Sequence, residues 1–316
     1  MGAQASHGAS QPSTQNPIPE LHLCRPKAFY TLPSGSRLAY DEYGTSSGRP
    51  IIYFHDGGSS RLECAFFHAS ARQLGFRLIA IDRPGIGCSD YYSVLTPSQF
   101  CDDVMLLINQ LGITDFGVMS LGAGGIYALN LARNYPDRVS FNLSLAGLPG
   151  NVFNEVSGQS YATSCWNEFT PPLIKLLVRI KQRFFPDDPE QSIERLQQYL
   201  SFTDRKALSN PRVLEILALD HGEALRLGNR GVAQDLAVCF RKLEFSLMDV
   251  TIPTMIWQGC ADRLSKRSDC EYMAAHMPNA NLYRVPNRGH FFFVHSMDEV
   301  FGRLHTLKHQ ETAIAA

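Results

Sequence analysis

Three short segments hold residue types that could do chemistry together. The run Ser120-Leu121-Gly122-Ala123-Gly124-Gly125 closes an apolar stretch and opens a helical one, the setting of a sharp strand-turn-helix that lifts one side chain above a sheet. Asp262 follows Trp257-Gln258-Gly259, and His290 sits directly behind Gly289. A carboxylate and an imidazole placed after successive strands form a catalytic His-Asp dyad, in which the acid orients a base that exchanges protons near neutral pH. Asp269, His276, His295 and His305 lack such surroundings and read as surface or helix-capping groups.

These residues meet only if the strands that carry them lie side by side. Residues 28–32 and 37–42 flank the turn cluster Pro33-Ser34-Gly35-Ser36 and read as an opening β-hairpin. Beyond it, short apolar runs at 50–55, 77–82, 116–121 and 139–146 alternate with helical patterns at 61–74, 97–111 and 125–134. Two more strand-like runs, 252–259 and 280–286, are each followed by a helix. Strands too apolar to have a wet face belong to a mostly parallel sheet covered on both sides, an α/β doubly wound fold. The strand rhythm stops over 148–247, where helical patterns such as 172–185 and 189–200 dominate. That stretch reads as a helical cap above the carboxyl edge of the sheet, where ligands bind in such folds. The expected organisation is a tail (1–20), a first part of the core (21–147), the cap (148–247), a second part of the core (248–308) and a tail (309–316). Lys175, Arg179 and Arg183 make a solvated basic face in the cap. Asp82, Arg83 and Asp90 sit in a glycine-rich turn and read as structural, outside the site.

With 316 residues, Lys plus Arg at 29 and Asp plus Glu at 30, the chain can bury a full core and has no field that would draw nucleic acid or an anionic membrane. Its 44% hydrophobic and 19% charged residues are ordinary globular composition. Cys24, Cys64, Cys88, Cys101, Cys165, Cys239, Cys260 and Cys270 are scattered without metal-ligand spacing, so reduced thiols, no metal and a cytoplasmic location are expected. No apolar run is long enough for stable membrane insertion. The opening Met1-Gly2-Ala3-Gln4-Ala5-Ser6 fits the N-myristoylation pattern. Acylated Gly2 would give weak, partial membrane association, and an unmodified tail would give none.

The chain resembles the α/β-hydrolase superfamily, in particular its capped esterase, epoxide-hydrolase-like and peptidase-like members, over residues 28–305. The segments FHDGGSSRLE (54–63), AIDRPGIGCSD (80–90), SLGAGGIYALNLARNYPDRV (120–139), IPTMIWQGCADRLS (252–265) and VPNRGHF (285–291) carry the resemblance in the family's order. It implies the triad order of elbow, acid, histidine, with His290 and Asp262 intact. The family elbow is small-x-Ser-x-Gly. Tyr135-Pro136-Asp137-Arg138-Val139 sets the register and puts the nucleophile position on Gly122, with Ser120 two places earlier. A displaced Ser120 nucleophile would sit inside the strand, with Val118 where a small residue is needed. Glycine suits the strained apex, so the scaffold should survive and a serine at 122 should be tolerated. In the resemblance His55 is structural, and the Gly57 and Ala123 amides form an oxyanion hole. Asp56 either brings an extra acid or base to that hole or turns outward to cap the following turn.

The resemblance thus implies a cofactor-free enzyme acting on a small carbonyl- or ester-containing metabolite, in a biosynthetic tailoring step, by hydrolysis or lyase- or cyclase-type acid–base chemistry. His290 would titrate near its usual value of about 6.5. Two alternatives stay open: a non-catalytic module that binds a ligand or a protein, and a conventional serine hydrolase that uses Ser120.

Overall fold

The computed structural model describes residues 26–147, 196–239 and 241–314, with side chains as far as His305. One sheet holds eight strands: β1 (Ala28–Thr31), β2 (Arg37–Gly44), β3 (Arg49–Phe54), β4 (Phe76–Ile81), β5 (Phe116–Leu121), β6 (Val139–Leu145), β7 (Thr254–Gly259) and β8 (Ala280–Val285). Their order is β1-β2-β4-β3-β5-β6-β7-β8. The pairs β1/β2 and β2/β4 are antiparallel, and every later pair is parallel. The described helices are α1 (His68–Gln73), α2 (Pro97–Gln110), α3 (Gly125–Asn134), α4 (Phe202–Leu208), α5 (Pro211–Ala224), α6 (Arg230–Cys239), α7 (Arg267–His276) and α8 (Phe293–Ile314).

Successive strand residues feed opposite faces of the sheet. Ile52 and Phe54 of β3 join Phe100 and Val104 of α2, Ile126 of α3 and Met273 of α7 on one face. Ile51 and Tyr53 join Ala71 of α1 and Phe293 and Phe301 of α8 on the other. Each fully buried side chain of this size is worth roughly 1.5–3 kcal/mol, so two covered faces explain why the strands show no polar alternation.

Strand bounds fall within a residue or two of those read from the sequence. The helix expected over 61–74 divides into a 3-10 turn, Arg61–Phe67, followed by α1. The turn is pinned by side chains: the Arg61 amide donates to Asp82 at 2.8 Å and the Glu63 amide to Asp220 at 3.0 Å. The helix expected at 172–185, most of the one at 189–200, and Gly2, Cys24, Cys165, Lys175, Arg179 and Arg183 lie outside the described residues. Over 196–239 the described chain is helical and contains no strand. Among the described residues no helix is long and apolar enough to cross a membrane.

Candidate active site

Strand β5 ends at Leu121 and the chain turns sharply at Gly122, whose φ of +47° is a left-handed conformation that side chains resist. A Cβ at Gly124 would collide with the Phe54 carbonyl oxygen, so glycine there lets the start of α3 close against the end of β3. The space above Gly122 belongs to Asp56. A Cβ at residue 122 would overlap the Asp56 carboxylate, so a serine there is not tolerated unless Asp56 moves.

Asp56 turns inward, not outward. Its Oδ1 accepts the Gly57 amide at 2.7 Å and the Ala123 amide at 2.6 Å, while Ser60 rather than Asp56 caps the following turn. Two fixed backbone donors, one at the start of a helical turn, hold a carboxylate better than water does. The Gly57 and Ala123 amides therefore converge on one oxygen, and that oxygen is the protein's own.

His290 follows β8 and faces two carboxylates. Its Nδ1 lies 3.1 Å from Asp262 Oδ2, and its Nε2 lies 3.6 Å from Asp56 Oδ2. Asp262 is oriented in turn by the Leu264 and Ser265 amides, which donate to its Oδ1 at 2.8 and 3.0 Å. The backbones carrying acid and histidine approach so closely that a Cβ on Gly259 would strike the Gly289 carbonyl. Burial alone would lower the His290 pKa, but Asp262 and then Asp56 raise it well above 6.5, which favours the imidazolium. This corrects the expectation of an ordinary histidine. Burial favours the acid form of Asp56, yet His290 and the two amides outweigh it and hold Asp56 ionised. The Asp56 side chain keeps 27% of its surface exposed, against 4% for His290.

The loop that carries Asp56 is held by the scaffold around it, Arg83 and His55 in the structural roles expected of them and Asp204 and Asp235 unforeseen in sequence. Arg83 donates to the His55 carbonyl at 2.6 Å and the Asp56 carbonyl at 2.9 Å, and it pairs with Asp235 of α6 at 2.6 Å. Arg83 does not touch the facing carboxylates, but it fixes the peptide that presents one of them. His55 is fully buried and neutral, and its Nδ1–H donates to the same Asp56 carbonyl at 2.9 Å, a structural role. Asp204 of α4 accepts the Phe291 amide at 2.9 Å and so grips the backbone next to His290. Asp269 is buried rather than on the surface, with Ser268 donating to it at 3.0 Å.

Ser120 stays inside β5, paired in register with Phe54 and Ser144, and its buried Oγ makes no hydrogen bond among the described residues. No base among the described residues bonds to it. Asp82, Cys88 and Glu223 converge as metal ligands might, but Arg61 Nη1 lies 2.7 Å from both carboxylates, so this donor set holds a guanidinium.

A parallel eight-stranded sheet with an antiparallel edge, a glycine-rich elbow after β5, an acid after β7 and a histidine after β8 define an α/β hydrolase. The chain belongs to the alpha/beta hydrolase family, whose model matches residues 51–303. It is similar to the uncharacterized hydrolase YcgS of Bacillus subtilis (strain 168), 24% identical over 275 residues that span 82% of this chain and 90% of that one. It also matches bifunctional epoxide hydrolase 2 of Sus scrofa, 29% identical over 141 residues, 42% of this chain and 24% of that protein. Among solved structures, the esterase EaEST of Exiguobacterium antarcticum superposes with a TM-score of 0.68 at 18% identity, covering 88% of this chain and 98% of that one.

Proposed function

We propose that the chain is a serine-free hydrolase in which Asp56 attacks a small electrophile and His290, oriented by Asp262, moves the protons. One observation carries this reading: the Asp56 carboxylate fills the space above Gly122, with one oxygen on two amides and the other facing His290. In the first step Asp56 Oδ2 attacks a saturated carbon, the carbon–oxygen bond of the substrate breaks, and the resting imidazolium gives its proton to the leaving oxygen. An alkyl ester of Asp56 and a neutral His290 result. In the second step His290 takes a proton from water as it adds to the Asp56 carboxyl carbon, and the developing oxyanion is Oδ1, already on the Gly57 and Ala123 amides. Collapse expels the alkoxide, which takes the proton of the regenerated carboxyl group. Asp56 carboxylate and His290 imidazolium are restored, and water has been added across the substrate's bond.

This order selects a substrate class. A substrate carbonyl finds both amides engaged, whereas an enzyme ester formed on Asp56 brings its own carbonyl oxygen to them. The substrate is therefore a small molecule with an activated carbon–oxygen single bond, an epoxide foremost, instead of the carbonyl or ester metabolite expected from sequence. The partial match to an epoxide hydrolase supports that class. Of the cap expected over 148–247, the described residues 196–239 are helical, and the six described cysteines are free thiols, in keeping with a cytoplasmic enzyme. The steps call on three side chains and water.

The purified protein should convert styrene oxide to its diol, and Asp56→Ala should lose at least ~10²-fold. Hydrolysis of p-nitrophenyl acetate that survives Asp56→Ala would instead favour His290 acid–base catalysis on a carbonyl substrate. Binding without turnover in both proteins would mark a non-catalytic binding module.

A further inference from the structure

The peptide that presents Asp56 rests on a second layer of carboxyl groups. Glu63 Oε2 accepts the Asp56 amide at 2.9 Å and the Tyr53 hydroxyl as well. Asp220, reaching in from α5, accepts the Ser60 amide at 2.9 Å, the Ser60 hydroxyl at 2.6 Å, the Glu63 amide at 3.0 Å and the Ser59 hydroxyl. Both side chains are buried, and the cations nearby are already engaged. Arg61 is shared by Asp41 at 2.8 Å and by Asp82 and Glu223 at 2.7 Å, and Arg83 is paired with Asp235.

We infer that Glu63 is a positioning residue: its neutral carboxyl group seats the Asp56 peptide, while ionised Asp220 ties the same turn to α5. The assignment follows from donor counting. Four donors, three on Oδ1 and one on Oδ2, suit Asp220 as an acceptor-only carboxylate, whereas both donors on Glu63 meet Oε2 and leave Oε1 to carry a proton. Among the described residues the nearby guanidinium groups are engaged elsewhere, so the two adjacent buried carboxyls keep one proton between them.

The groups around Glu63 reinforce that choice. Burial pushes both carboxyls up, Asp220 to about 7 and Glu63, with Asp220 and Asp56 beside it, to about 8, so Glu63 keeps its proton to the higher pH. Cys64 beside it is a buried neutral thiol, with Asp41 of β2 bearing on it, and Phe293 of α8 packs against Phe66 and Phe67. Above about pH 8, Asp56 and Glu63 on one short turn and Asp220 against it would be three neighbouring anions. Their repulsion would unseat Asp56 from the amides.

The test uses the full chain and two readouts, only one of which rests on the proposed reaction of Asp56. The first is Tm between pH 5 and pH 9 for wild type, Glu63→Gln and Asp220→Asn. A glutamine keeps the two acceptor contacts and cannot ionise, so the Tm of Glu63→Gln relative to wild type should rise by several degrees across that range. The second is the rate at which phenacyl bromide esterifies Asp56, read by peptide mapping in a His290→Gln background. Bromide leaves without a proton, so the histidine is not limiting. Labelling should fall several-fold above pH 8 with Glu63, stay level with Glu63→Gln and be slow at every pH with Glu63→Ala. A Tm gap independent of pH, or one that appears in Asp220→Asn instead, would overturn the proton assignment. Equal labelling profiles with Glu63 and Glu63→Gln would overturn the positioning role. No label on Asp56 at any pH would remove the proposed reaction and that role together, while the Tm readout would still decide which carboxyl holds the proton.

Discussion

At residue 122 glycine does two things: it adopts the left-handed apex and leaves room for a carboxylate that arrives from another loop. Any Cβ there should therefore eject Asp56 from the Gly57 and Ala123 amides. For Gly122→Ala we expect a loss of ~1–3 kcal/mol from backbone strain, checked by urea denaturation, and a larger loss of turnover than strain alone would bring. Glycine at the apex was legible in the sequence, and so was the Asp262–His290 pair. The inward turn of Asp56 was not, because the donors that hold it belong to Gly57 and to Ala123, 67 residues away in sequence.

The same residues set a pH signature. The folded His290 pKa is raised, so its contribution to stability is fully present below the unfolded value of 6.5 and is lost as pH rises through the folded one. The folded Asp56 pKa is lowered, so its contribution is present above 3.8 and is lost as pH falls through the folded value. The Tm difference between wild type and His290→Gln should peak between those two unfolded values and shrink on either side. Thermal unfolding from pH 3 to pH 10 checks this, and a difference that grows toward alkaline pH would contradict it.

At the scale of elements, the reactive turn between β3 and the 3-10 segment is built from both sides. Asp235 of α6 and Asp220 of α5 reach across to Arg83, Ser59, Ser60 and the Glu63 amide. Asp235→Ala would strand the buried Arg83 guanidinium, so it should cost ~3–5 kcal/mol in chemical denaturation. Turnover should fall further, because Arg83 also holds the His55 and Asp56 carbonyls. Equal loss in Asp235→Ala and in an unrelated variant of matched stability would deny that coupling. Arg83 could be read only as a turn residue from sequence, since its partner lies 152 residues onward. The strands were legible for the opposite reason. Runs such as IIYF and LIAI are apolar at every position, and only a sheet covered on both faces buries them all.

Across the whole molecule, fold and chemistry part company. The sheet order follows the alpha/beta hydrolase family, while in the proposed reaction the attacking group moves from the elbow to the loop after β3. Local patterns reveal the first because periodicity and glycine spacing are local properties. They miss the second because a cavity filled from another loop is a property of the closed fold. One measurement decides whether that move is real: the mass of the intact His290→Gln chain, followed by peptide mapping, after incubation with styrene oxide. Without His290 the epoxide opens more slowly, having lost its proton donor, and the second step stalls for want of a base, so on long incubation one epoxide equivalent should accumulate as an ester on Asp56, absent from the same protein carrying Asp56→Ala. An unmodified chain that still forms the diol at the wild-type rate would contradict the assignment of Asp56 as the attacking group.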